Sequence, residues 1–170
     1  MLMRRIFTTF FAFLLCAVPA FSQVIYSTDF ASEEEFQQWT VFDVNADDSK
    51  WTFDAEADPY SVFYSYNSTN PADDWLVSPA IVSEEDGTVV VSFAVKGSSY
   101  GEKLQVMCGD APTVEAMTTA LSEVLYLSDN ITYQLYMLPV TAGKPFHLGF
   151  KACSDADKWR IYLGNVKVLF

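Results

Sequence analysis

The chain has 170 residues, 51% of them hydrophobic, with 22 acidic residues against 10 basic ones and a formal net charge of −12. That length holds one domain with a sizeable core. The acidic excess argues against nucleic acid and anionic membranes as partners, because both repel it.

Arg4 and Arg5 precede an apolar run over residues 6–18, and Pro19-Ala20-Phe21-Ser22 ends it with small residues. This is the pattern of a secretory signal peptide (1–22), with cleavage expected after Ser22. It implies a protein that is secreted or held at the cell surface, with residues 23–170 as a single domain. The run is shorter than the roughly 20 apolar residues of a membrane span, and no second candidate follows.

A first strand is expected over 24–29. Ser32 and Glu35 then have capping-box spacing, which predicts a short helix to about Gln38. Short strands at 40–43 and 50–54 flank an acidic loop, and two more follow at 61–66 and 75–78. The clearest strand runs over 88–96, where Val89, Val91, Phe93 and Val95 share one face at period two. A strand at 102–108 comes next, and Pro112-Thr113 predicts a second short helix through Thr118. Strands at 121–127, 133–140, 146–153 and 160–170 complete the series. In the last of these, Ile161 and Leu163 share one face while Val166, Val168 and Phe170 take the other parity. The slip at Gly164-Asn165 predicts a bulge. Many short strands, little helix and regular turns predict an all-β chain, an antiparallel β-sandwich with one or two short helices.

The chemistry-bearing candidates fall in two groups. Asp43, Asn45 and Asp47 have the oxygen spacing of a Ca²⁺ loop; Asp48 adds a carboxylate and Asp54 falls at the twelfth position. Strands rather than helices flank the loop, against an EF-hand, and an Asx-rich turn explains the same residues without an ion. Asp73 and Asp74 either add ligands or cap the turn before Trp75, and Asn70-Pro71 favours the cap. The second group is Tyr60, Tyr64, Tyr66, Tyr100 and Trp159, a candidate stacking surface for a glycan or peptide; core or rim packing suits each tyrosine as well. Trp39, Trp51 and Trp75 read as core anchors, whereas Trp159 follows the polar run 154–158 and belongs near a loop surface.

Catalysis has little support. His147, the single histidine, sits in an alternating strand and reads as exposed. No nucleophile elbow is present, and 22 acidic residues make any chosen carboxylate pair uninformative. No enzyme is expected. Cys108 and Cys153 follow the leader; export permits a disulfide if their strands are neighbours.

The order of the pieces carries a resemblance. A short helix ends in Trp39, an acidic loop precedes Trp51, a tyrosine-rich strand follows, and then Asp74-Trp75-Leu76-Val77-Ser78-Pro79-Ala80-Ile81; the chain closes on Ile161-Tyr162-Leu163-Gly164-Asn165-Val166. This resembles the cleaved-adhesin domains of gingipain haemagglutinin regions and the related choice-of-anchor J domains of Bacteroidota. The resemblance implies a jelly-roll sandwich related in shape to carbohydrate-binding modules, a non-catalytic role in adhesion or ligand binding, and structural Ca²⁺. The chain departs from the family pattern at Asn45 and Asp48 in the loop, and at Gly164-Asn165, where acidic residues are usual. The expected ligand is an extracellular glycan or protein. The alternatives are a secreted glycan-active hydrolase, which needs two facing carboxylates about 5–10 Å apart in a cleft, or a purely structural part of a surface assembly.

Overall fold

A computed structural model describes residues 23–170. The expected leader at 1–22 lies outside them. In chain order the elements are β1 (Val24–Thr28), α1 (Glu33–Gln37), β2 (Thr40–Asp43), β3 (Trp51–Phe53), β4 (Val62–Tyr64), β5 (Asp74–Val77), β6 (Ile81–Val82), β7 (Gly87–Lys96), β8 (Lys103–Gly109), β9 (Thr119–Ala120), β10 (Leu125–Tyr126), β11 (Thr132–Val140), β12 (Pro145–Ala152) and β13 (Ile161–Leu169). They form two antiparallel sheets. One runs β11-β7-β13-β4-β3, with β1 also on β13; the other runs β10-β8-β12-β5-β2, with β6 on β12 and β9 on β8. The two sheets form an antiparallel sandwich of jelly-roll type, as expected.

The core follows from period-two patterning. Val89, Val91, Phe93 and Val95 of β7 turn inward and are buried, facing Leu104, Val106, Leu148 and Phe150 of the other sheet. Phe93 meets Phe150 edge to face, with centroids 5.0 Å apart. The closing strand bulges where its pattern slips: the register of β13 on β7 shifts between Gly164 and Lys167. Asn165 takes a left-handed φ of 52°. Ile161, Leu163, Val166 and Val168 are thereby all buried despite their mixed parity.

Half of the expected capping box forms. Ser32 Oγ accepts the Glu35 N–H at 3.3 Å. The Glu35 carboxylate instead accepts the Thr28 hydroxyl at 2.6 Å, tying α1 to β1. Trp39, Trp51 and Trp75 are buried as anticipated.

Three expectations are corrected, and the disulfide left open is absent. The helix expected over 112–118 is a set of tight turns, with Ala116 N–H bonded to Thr113 O and Met117 N–H to Val114 O. The segment lies directly on the second sheet: a Cβ at Gly109 would stand 2.3 Å from Ala116 O, and one at Gly149 would stand 2.9 Å from Met117 Sδ. Burying Met117 against Trp75 and Val77 flattens the chain onto the sheet, and this contact outweighs local helix preference. The strand expected over 121–127 is reduced to Leu125–Tyr126, with Thr119–Ala120 before it. The two cysteines are free. Their strands are neighbours, but Cys108 lies opposite Leu148 and Cys153 stands five residues further along, roughly 16 Å at strand rise and beyond bridging range. Finally, His147 is buried, with Nδ1 2.8 Å from Ser78 O. A carbonyl only accepts, so Nδ1 carries the proton.

Candidate functional site

Backbone and amide bonds gather several loops at one end of the sandwich. Asn67 is the joint. Its side-chain amide donates to Asp47 O at 3.4 Å, and its own carbonyl accepts the Asp157 N–H at 2.8 Å. Ala72 N–H donates to Ser154 O at 2.9 Å, and Val44 N–H to Asp73 O at 3.3 Å. The acidic loop, the Tyr66 segment and the Trp159 segment are thereby held as one unit.

Within that unit three of the five aromatic candidates converge. Tyr66 stacks on Trp159 with ring centroids 5.5 Å apart and planes 29° from parallel. Tyr100 joins them, and with Asp157 and Lys158 they line a cleft of about 510 Å³. Trp159 is 44% and Tyr100 64% exposed, so ring faces remain open to solvent. The Tyr100 loop is not left to itself. Glu102, fully buried, accepts both the N–H and the hydroxyl of Ser98, at 2.8 and 2.6 Å. Ser98 Oγ in turn accepts the Tyr100 N–H at 3.1 Å. A stacked aromatic face with a carboxylate and an ammonium at its rim suits the apolar face and the hydroxyls of a sugar ring, or a peptide side chain.

The other two tyrosines are elsewhere. Tyr64 is buried and packs against Trp51 at 6.1 Å, so it offers no ligand surface. It belongs to β4, whose inward face points into the sandwich. Tyr60 lies over Gly164 on the outer face of the first sheet, where a Cβ would stand 2.2 Å from its ring. Burial, followed by its neighbour Tyr133, raises the Tyr60 phenol above its ordinary value.

The acidic loop closes on itself. Asp43 Oδ1 and Oδ2 accept the N–H groups of Asp47 and Asp48, at 3.1 and 3.0 Å. Asp47 accepts from Ser49 N–H at 2.9 Å and from the Asn45 amide at 3.1 Å; Asn45 also donates to Pro71 O at 2.8 Å. Asp48 is exposed and takes a left-handed φ of 68°. Asp54 stands beyond the far end of β3, accepting the Glu56 N–H at 2.9 Å. Among the described residues no three His, Cys, Asp or Glu side chains gather to hold a metal ion. Loop N–H groups and the Asn45 amide thus bond carboxylate oxygens of Asp43 and Asp47, as in an Asx-rich turn.

The residue that sequence reasoning undervalued is Asp74. It pairs with Asp43 across β5 and β2 and is fully buried, and its Oδ1 has no hydrogen-bond partner. The Tyr64 hydroxyl faces it without closing a full hydrogen bond. Burial pushes the Asp74 carboxyl up to about 6, outweighing the pull of Tyr64 and the Asp73 N–H, and Asp43 and Asp47 add to the rise. Burial and Asp74 together push the Tyr64 phenol far above its ordinary value. Asp73, its neighbour, is bound to Lys151 at 2.8 Å. The signal for Asp74 was its place at the head of an unbroken apolar run.

No protein-family model matches the sequence, and no curated protein does either. Solved structures do. The K3 cleaved adhesin domain of Lys-gingipain from Porphyromonas gingivalis superposes with a TM-score of 0.64 at 20% identity, covering 87% of this chain and 98% of that one. The K1 domain of the same protein gives 0.64 at 17%, covering 84% and 96%. The CBM22-1 xylan-binding domain of Paenibacillus barcinonensis Xyn10C gives 0.56 at 14%, covering 86% and 94%. At such identities the likeness carries the fold and not the ligand; in fold, this chain is similar to the cleaved adhesin domains.

Proposed function

We propose that the protein is an exported, non-catalytic binding module that takes a glycan at the Tyr66–Trp159 cleft. The carrying observation is the stacked, partly open Tyr66–Trp159 pair with Tyr100, Asp157 and Lys158 around it. Likeness in fold to an adhesin domain and to a xylan-binding domain supports a binding role. Two features weigh against a hydrolase. The register pair Asp43 and Asp74 includes a carboxylate with no exposed surface, out of reach of a substrate. The single histidine is committed to a backbone carbonyl.

The test is a glycan array followed by titration with soluble xylo- and cello-oligosaccharides, read by tryptophan fluorescence. Trp159→Ala is expected to weaken binding at least tenfold, the scale of one lost sugar–aromatic stack. Silence toward all glycans, with a protein captured through the same cleft, replaces the glycan with a protein ligand; hydrolysis of a probe ends the proposal. Export is tested by N-terminal sequencing of the protein from its native host, which should begin at Gln23.

Ca²⁺ remains a proposal for the acidic loop, with the Asp43–Asp74 pair as its inner corner. A buried carboxylate oxygen without a partner is costly, and a cation beside it relieves that cost as a proton does.

A further inference from the structure

Among the described residues, seven strands pair with a single neighbour. Six are short: β1 has five residues, β2 four, β3 three, and β6, β9 and β10 two each. The seventh, β11, has nine, and its pairing with β7 is unbroken from Thr132 to Val140. Among the described residues no strand pairs with its other side. Natural sheets blunt long edges with charges, bulges or a cover, because an open ladder is a template for another strand. β11 has neither charge nor bulge, and its one blunting residue, Pro139, stands next to its end. No charged residue occurs from 130 to 143, in a chain where 19% of residues are charged. Its outward side chains are apolar as well: Tyr133 is 69%, Leu135 66% and Met137 73% exposed. Tyrosine and methionine are enriched at protein interfaces, where charge is depleted.

We infer that β11 is a self-association edge, at which a second copy of this chain adds its own β11 antiparallel across a two-fold axis and extends the first sheet through both molecules. Self-complementarity under a two-fold axis selects the occupant, and charge confines where two copies meet. Two copies of a chain with net charge −12 repel over most of their surfaces, and they meet without opposing like charges only along an uncharged strip. Pro139 selects the register. It lacks an N–H, so the ladder avoids it. With Leu135 on the axis, Tyr133 of one copy faces Met137 of the other, and Leu135 faces Leu135. Sulfur against an aromatic edge and leucine against leucine are favourable cross-strand pairs. Three side chains, each about two-thirds exposed and of roughly 200 Å², offer on the order of 400 Å² per copy against about 800 Å² for a standard interface. The dimer is therefore weak and concentration-dependent.

Sedimentation velocity from micromolar to millimolar concentration tests this, on the full chain and on the chain starting at Gln23. Doubling of the mass with concentration is expected in both. Leu135→Asp should stay monomeric with an unchanged melting temperature, and Trp159→Ala should dimerise like the parent, which keeps this outcome separate from glycan binding. Leu135→Cys should oxidise to a covalent dimer, because facing Cα atoms in an antiparallel ladder lie about 5.5 Å apart. Val24→Cys, exposed on β1, should not. A parent that stays monomeric at millimolar concentration, with no Leu135→Cys cross-link, overturns the inference. So does a dimer that survives Leu135→Asp, or one that forms only when residues 1–22 are present, which would make the leader the occupant.

Discussion

Two tyrosine–tryptophan pairs stand side by side in this molecule and do opposite things. Tyr64 and Tyr66 are two residues apart and share strand parity, yet Tyr64 packs on Trp51 inside the sandwich while Tyr66 stacks on Trp159 at the loop end. The difference is where β4 stops. Tyr64 is its last residue and still lies over the core; Tyr66 has left the ladder. The inner pair has its rings tilted by 58°, as interior packing allows, and the outer pair by 29°, leaving flatter faces open. One residue type thus serves as filler or as platform according to the sheet's edge.

The contrast breaks most visibly through Trp51. Trp51→Ala should cost about 3–5 kcal/mol of stability in chemical denaturation, because a large buried ring leaves a cavity. Glycan binding should fall only in step with unfolding. If binding fails while the fold persists, the inner pair is not merely filler.

The next largest effect lies beneath Tyr64. Asp74 has an ordinary value of 3.8 and is raised to about 6 in the folded chain, so the folded state holds its proton more tightly. The sign follows from linkage: its contribution to stability is fully present below pH 4 and is lost as pH rises through 6. About two pH units correspond to roughly 3 kcal/mol as an upper bound. In chelator, Asp74→Asn should match the parent near pH 4 and exceed it by about 1–3 kcal/mol at pH 8. Equal urea midpoints at both pH values would show that Asp74 is not strained.

Trp159→Ala sharpens the comparison from the other side. It should weaken binding at least tenfold, about 1.4 kcal/mol, and change stability by less than about 1 kcal/mol. The smallest effect belongs to Ca²⁺. Added at its dissociation constant it should stabilise by about 0.4 kcal/mol, and by about 1.4 kcal/mol at tenfold excess. Asp74→Asn should abolish that gain. A melting temperature indifferent to Ca²⁺ and to chelator removes the ion from the inner corner.

Much of this architecture was legible because burial on one face writes itself into alternation. β7 and β12 show it directly, and the parity slip at Gly164-Asn165 marks the bulge in the sequence itself. What escaped was tertiary. Alternation identified Tyr64 and Tyr66 as alike, since period two does not say where a strand loses its partner. Oxygen spacing in the acidic loop did not announce that backbone N–H groups of the same loop bond both oxygens of Asp43. His147 read as exposed because it lies on the polar parity of β12, and the cover supplied by Ser78 comes from the segment that follows β5. Met117 drew its segment off a helical path through a contact with Gly149, which no local signal announces.

The joint at Asn67 has a practical consequence for anyone producing the protein. Asn67-Ser68-Thr69 is an acceptor sequence for N-linked glycosylation in eukaryotic secretory hosts. The amide nitrogen that such a host would modify is the one that now donates to Asp47 O. An oligosaccharide attached there would stand one residue from Tyr66, crowding the Tyr66–Trp159 cleft while loosening its tie to the acidic loop. Material from such a host would give a false negative on any glycan array, and Thr69→Ala would restore binding by removing the sequon while leaving Asn67 in place.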